Sequence, residues 1–125
     1  MTNIRIKEEF LNEILIEAIN NALQLHIPIS PFIDKKIYID KGITNRVGFC
    51  DCRDINKYKI HITDKLLYAN KNCIKDVIAH EILHTCPFSR NHFYFWTKYA
   101  QIMNETYGYN IKEKYQNWFE LGVKI

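Results

Sequence analysis

The chain has 125 residues, 47% of them hydrophobic and 14% aromatic, with 17 basic side chains against 14 acidic ones for a net charge of +3. That composition is too apolar for a disordered chain and long enough to bury one core, so one domain over residues 1–125 is expected. No apolar run reaches the roughly 18 residues of a membrane span, and the acidic, amphipathic start is unlike a secretory leader, so a cytoplasmic protein with no membrane partner is expected.

From Ile4 to about Leu25, Phe10, Leu11, Ile14, Leu15, Ala18, Ile19, Ala22 and Leu23 recur at helical spacing opposite Lys7, Glu8, Glu13 and Glu17. A packing helix is expected, closed before Pro28. His26 at its end reads as a surface residue. Ile29 to Phe32, with Pro28 just before it and Pro31 within it, reads as a connector, and Lys36 to Asp40 alternates as a short strand. Asn45 to Arg53 and Tyr58 to Thr63 alternate on either side of the polar stretch Asp54-Ile55-Asn56-Lys57, which predicts a hairpin. Tyr58, Ile60 and Ile62 then share one face, and His61 falls on the other, where it is expected to be solvated.

The four cysteines, Cys50, Cys52, Cys73 and Cys86, lack the dense spacing of a secreted disulfide scaffold and read as reduced, packed thiols. A second metal site built from Cys50 and Cys52 with Cys73 or Cys86 is the less favoured alternative. Lys35, Lys36, Lys57, Lys59, Lys71 and Lys75 read as scattered solvated charges rather than one nucleic-acid patch, and +3 is too modest to demand such a partner.

The next helix starts around Asn70 or Asn72 and runs to Cys86-Pro87, where proline stops it. It carries His80-Glu81-Ile82-Leu83-His84. At about 100° per residue, His80 and His84 project from one face one turn apart, and Glu81 stands beside them. Two imidazoles and a carboxylate on a mostly apolar helix are unfavourable to bury unless something pairs with them, and a metal ion does so. Zinc accepts imidazole nitrogen at about 2.0–2.1 Å and in catalytic sites keeps one position open, while a carboxylate after the first ligand can take a proton from water. Imidazole also suits nickel, copper and iron. Asp76, four residues before His80, is a candidate acceptor for that imidazole.

Beyond the Phe88-Ser89-Arg90-Asn91 turn, Asn91 is placed to cap a helix from His92 to about Tyr107, stopped by Gly108 and apolar at Phe95, Trp96, Tyr99, Ile102 and Met103. Two third ligands compete. His92 stands near His84 across the turn, whereas Glu105 lies about three turns on, about 20 Å away at 1.5 Å per residue, so the two cannot serve one ion. We favour His92. The aromatic tail, with Tyr115, Trp118 and Phe119, is expected to fold back on the body.

Val77 to Pro87, then Asn91-His92 with Trp96, then Tyr107-Gly108-Tyr109-Asn110-Ile111, with Ile60-His61-Ile62-Thr63 ahead of them, resemble the SprT-like metallopeptidases over roughly the second two-thirds of the chain. The resemblance implies a minimal gluzincin-like α+β fold: an N-terminal helix, a short three-stranded sheet with a hairpin, and a zinc-binding helix followed by a second helix. It also implies one Zn2+ per chain held by His80, His84 and His92, with Glu81 as general base in peptide hydrolysis. The related Spartan proteases digest proteins crosslinked to DNA, which implies a protein substrate associated with DNA. The chain departs from the family where Phe93 replaces a frequent glycine, where Tyr94 and Phe95 replace frequent basic residues, and where the C-terminal zinc ribbon is missing.

The expected chemistry is therefore metal-assisted peptide hydrolysis, with Tyr94, Tyr99 and His61 as candidate stabilisers of the oxyanion. Two alternatives stand beside it. One is a non-catalytic zinc module that binds DNA or protein. The other is a protease restrained by Phe93, Phe95 or the tail until a partner binds.

Overall fold

A computed structural model describes residues 7–42 and 45–115. Its elements follow in the order α1 (Glu8–Gln24), β1 (Ile33–Asp40), β2 (Gly48–Asp51), β3 (Tyr58–Thr63), a 3-10 turn (Asp64–Tyr68), α2 (Lys71–Leu83) and α3 (Tyr94–Tyr107). This is the expected α+β class. Trp118 and Phe119 lie outside the described residues.

α1 buries Leu11, Ile14, Leu15, Ala18, Ile19 and Ala22, while Phe10 and Leu23, at the margins of the predicted stripe, stay exposed. Leu15 is fully buried, so truncating it to alanine should cost about 2–5 kcal/mol through lost transfer energy and the cavity left behind. His26 is exposed, as expected.

β2 and β3 form the expected antiparallel hairpin, in which Lys57 N–H donates to Asp54 O at 3.0 Å and Asn56 N–H to the Asp54 carboxylate at 2.9 Å. β2 is shorter than the alternating pattern implied, because pairing stops at Asp51. β1 starts earlier than expected and runs parallel to β3, giving the mixed order β1-β3-β2. Period-two alternation orients two faces. Ile37, Ile60 and Cys50 make one buried row across the strands, and Tyr38, His61 and Phe49 make the row on the opposite face.

α2 packs across the inner face against β2, β3 and α1. Its Ile74, Val77, Ile78, Ala79, Ile82 and Leu83 are fully buried, which leaves His80 and Glu81 to emerge where the helix meets the edge strand β2. α3 contributes Trp96, Ala100 and Met103 to the core, whereas Phe95, expected in its stripe, is 42% exposed. Gly108 ends α3 with φ 74°, a left-handed turn that glycine adopts without steric cost.

Candidate metal centre

α2 ends at Leu83, four residues before the proline expected to stop it. His84 nevertheless keeps helical angles, φ −67° and ψ −13°, so its spacing from His80 survives. Thr85 makes the early stop. Its hydroxyl donates to Ile82 O at 2.7 Å and accepts from Ser30 N–H at 3.0 Å, which ties the helix end to the chain after α1. Cys86 N–H donates to Leu83 O and Ser89 N–H to Cys86 O, folding the chain back.

His92 falls in the bend ahead of α3, not in its first turn. The helix begins at Tyr94 with Phe93 at the cap position, and Asn91 plays no capping role. His92 still reaches the α2 pair. One ring nitrogen from each of His80, His84 and His92 lies within 4.8 Å of the others, and the His80 and His92 Nε2 atoms are 3.0 Å apart.

Backbone carbonyls fix the tautomers. His80 Nδ1 lies 2.6 Å from Lys112 O and His84 Nδ1 lies 2.7 Å from Ser89 O. A carbonyl only accepts, so each Nδ1 carries the proton and each Nε2 keeps a lone pair. Trp96 forms the wall behind, its ring centroid 4.6–5.8 Å from the three imidazole centroids, and its indole N–H donates to His80 O at 3.2 Å. Burial pushes the proton affinity of all three histidines down, that of His80 to about 3, with neighbouring imidazoles adding to the effect at His80 and His84 and Glu113 opposing it at His92. They are neutral at pH 7.

These residues fit a metal ion. Tetrahedral ligation at about 2.0–2.1 Å separates ligand nitrogens by about 3.3 Å, near the 3.0 Å between the His80 and His92 Nε2 atoms, and neutral imidazole is the ligating form. The three histidines thus lie close enough together to hold one ion. Glu105, the competing ligand, is exposed on α3 and accepts from the Gln101 side chain at 3.0 Å, away from the cluster. Asp76 is not the acceptor for His80. It is buried and takes the Asn110 N–H at 2.9 Å, so it anchors the segment after α3, whose Lys112 carbonyl does hold His80.

Glu81 is buried, with Oε2 3.9 Å from His80 Nε2. Desolvation pushes its carboxyl up to about 8, opposed by the charge of Arg46. The room for it comes from the sheet, not from its own helix. Gly48 on β2 faces it, and a Cβ at that position would lie 2.9 Å from Glu81 Oε2 and 3.1 Å from Val77 Cγ1. A glycine inside an alternating strand is the signal that marks such a close approach.

An open cleft of about 480 Å³ runs past the cluster, lined by Gly48, Phe49, Cys50, Cys52, Arg53 and Arg90 besides Glu81 and the histidines. All four cysteines are free thiols, as expected, with Cys50 and Cys52 sulfurs 3.4 Å apart. His61 is absent from the lining and is not solvated either. It is 19% exposed, with Nδ1 2.9 Å from Asp40 Oδ1 and its ring between Tyr38 and Phe49. None of the six lysines borders the cleft: Lys36 and Lys59 lie over Tyr38, Lys71 lies over Phe10, and Lys75 pairs with Glu17.

The chain was compared with protein-family models and with curated proteins, and it matches none of them. No helix among the described residues is long and apolar enough to cross a membrane.

Proposed function

We propose that the protein is a metal-dependent peptidase of SprT-like type, with His80, His84 and His92 as ligands and Glu81 as the proton carrier. The observation that carries this reading is the buried Glu81 carboxylate standing 3.9 Å from a converging imidazole nitrogen. A purely structural metal site has no use for a carboxyl group there, since burying it is unfavourable. The chemistry supplied by a divalent cation at this position is Lewis acidity toward a carbonyl oxygen and toward water.

Drawn down from about 8 by the charge of a cation on the histidines, Glu81 is a carboxylate that takes the proton of the attacking water and passes it to the amine nitrogen that leaves. The carbonyls of Lys112 and Ser89 keep the His80 and His84 protons on Nδ1 throughout, so the ligating nitrogens stay unprotonated. β2 is an edge strand bordering the cleft, so its free edge offers backbone hydrogen bonds to an extended peptide. Gly48, having no side chain, leaves the proton carrier room beside that edge.

Zinc is the preferred ion. Proteins bound to DNA are the substrate class that the SprT-like likeness brings, and the arginines around the cleft are compatible with it. Restraint by Phe93 or Phe95 finds no support, since both are exposed and neither lines the cleft. The test begins with metal content by mass spectrometry for wild type, His92→Ala and Glu105→Ala. One zinc per chain lost only in His92→Ala supports the site. Wild type that takes up no metal after reconstitution sinks it. Casein hydrolysis by the reconstituted protein follows, with Glu81→Gln expected to lose about 10²–10⁴ in kcat while keeping its metal. Any tail truncation belongs after Tyr115, because cutting at Lys112 removes the partner of His80.

A further inference from the structure

Arg90 stands out among the cleft's charged groups because its guanidinium is uncommitted. Arg53, which also lines the cleft, is held by Asp51 through two hydrogen bonds of 3.0 and 2.8 Å. Arg46 pairs with Asp40 at 3.7 Å and lies 4.4 Å over the Phe49 ring. Arg90 is exposed and makes no hydrogen bond or ion pair among the described residues. Of the carboxylates nearby, Glu81 is buried and Glu113 stands 3.9 Å from His92 Nδ1.

Its position is fixed from both sides. Ser89 before it is fully buried and its carbonyl holds His84, while His92 two residues on belongs to the cluster itself. Arg90 borders the metal cleft and also an adjoining hollow of about 530 Å³ beyond His84, walled by Tyr58, Thr85 and Phe88. Anything lying across His84 from one space to the other passes this guanidinium. A planar fork of N–H donors, unpaired and carried on a backbone anchored at Ser89, matches the geometry of a carboxylate.

Resting on the peptidase reading, we propose that Arg90 binds a substrate carboxylate next to the scissile bond, so that the site prefers acidic peptides. The carboxylate comes from an Asp or Glu side chain or from the peptide's own C-terminus, and the test separates these. One pentapeptide sequence is made in three forms: neutral with an amidated end, with one internal Glu and an amidated end, and neutral with a free carboxyl end. Fluorescence anisotropy measures their binding to the Glu81→Gln protein, and wild type is assayed for hydrolysis of each.

One or both acidic forms should bind about tenfold more tightly than the neutral amide, as expected for a single charge-assisted pair at a cleft mouth, and the preference should shrink with salt. Arg90→Gln should abolish the preference, Arg90→Lys should restore part of it, and Lys98→Gln on α3 should leave it intact. Equal binding of all three peptides, no binding by any of them, or a preference that survives Arg90→Gln overturns the proposal. The two readings fail separately. Hydrolysis without preference keeps the peptidase and removes the role of Arg90. A preference in binding with no hydrolysis of any peptide keeps the carboxylate site and removes the peptidase.

Discussion

Partly buried imidazoles occur in two places in this protein, and they are supported in opposite ways. His80 and His84 give their Nδ1 protons to backbone carbonyls, so they present neutral rings whose remaining nitrogens converge with His92. His61, on the other face of the sheet, has its Nδ1 against the Asp40 carboxylate. A carbonyl fixes a tautomer without supplying a charge. A carboxylate supplies both, and among the described residues it is the one hydrogen-bond partner of the His61 ring, whereas the triad gathers lone pairs that a cation would satisfy.

Metal loading gives the largest expected contrast. Replacing His84 or His92 by alanine should weaken zinc binding by about a thousandfold or more, because each removes a ligand from a site of three. His61→Ala should leave affinity unchanged in the same chelator competition. If His61→Ala also released the metal, the separation of the two faces would be wrong.

A smaller effect is expected on the site's inner wall. Gly48→Ala places a methyl group 2.9 Å from Glu81 Oε2, so the carboxyl group must move. A displacement near 1 Å at a reacting group costs about a hundredfold in rate. We expect kcat on casein to fall by about that factor while zinc content stays at the wild-type value. Unaltered kcat would mean that Glu81 does not act from the position seen.

The metal-free protein should report the triad's electrostatics through pH. The folded-state affinities of the three histidines lie below the ordinary 6.5, so the unfolded chain binds more protons and stability is lost as pH falls below 6.5. Glu81 acts with the opposite sign. Its folded value near 8 exceeds the ordinary 4.5, so the folded state holds the extra proton and stability is lost as pH rises toward 8. The histidines outnumber it below 6.5, which places maximum stability near that pH. Urea midpoints of metal-free wild type should therefore decline between 6.5 and 8, with a slope approaching about 1.4 kcal/mol per pH unit. Glu81→Gln should flatten that limb, and a limb of undiminished slope would assign it to another group.

What the sequence made legible follows from how local each determinant is. His80, Glu81 and His84 share one turn of helix, and His92 is reached by one short turn, so spacing alone assembled them. The hairpin was equally local. The parallel pairing of β1 with β3 was not, because nothing in either strand states which neighbour lies beside it. The support of the site was hidden for the same reason: Lys112 lies 32 residues from His80 and acts through its backbone, which no side-chain pattern records. The helix end was misjudged because Thr85 stopped it through contacts with Ile82 and the distant Ser30 before proline had any effect. His61 was misplaced because alternation predicts a face but not what covers it, here Tyr38 and Phe49 from the flanking strands.

That covering sets the smallest prediction. Asp40→Asn keeps a hydrogen-bond acceptor for His61 but removes the charge, and it also frees Arg46, whose guanidinium stands 3.7 Å from the same carboxylate. Asp40 is a quarter exposed on its side chain and Arg46 nearly half, so the ion pair itself is screened and contributes little. The net loss should be about 1 kcal/mol, dominated by the weakening of the His61 hydrogen bond once its acceptor is no longer charged. It should appear as a small fall in the urea midpoint, with zinc affinity and kcat unchanged. Arg46 also bears on Glu81, whose proton affinity its charge lowers, so a freed Arg46 that shifted toward the cleft would move the pH limb described above to lower pH. A midpoint change with the limb in place would keep the two faces independent; a shifted limb would make Arg46 the link between them.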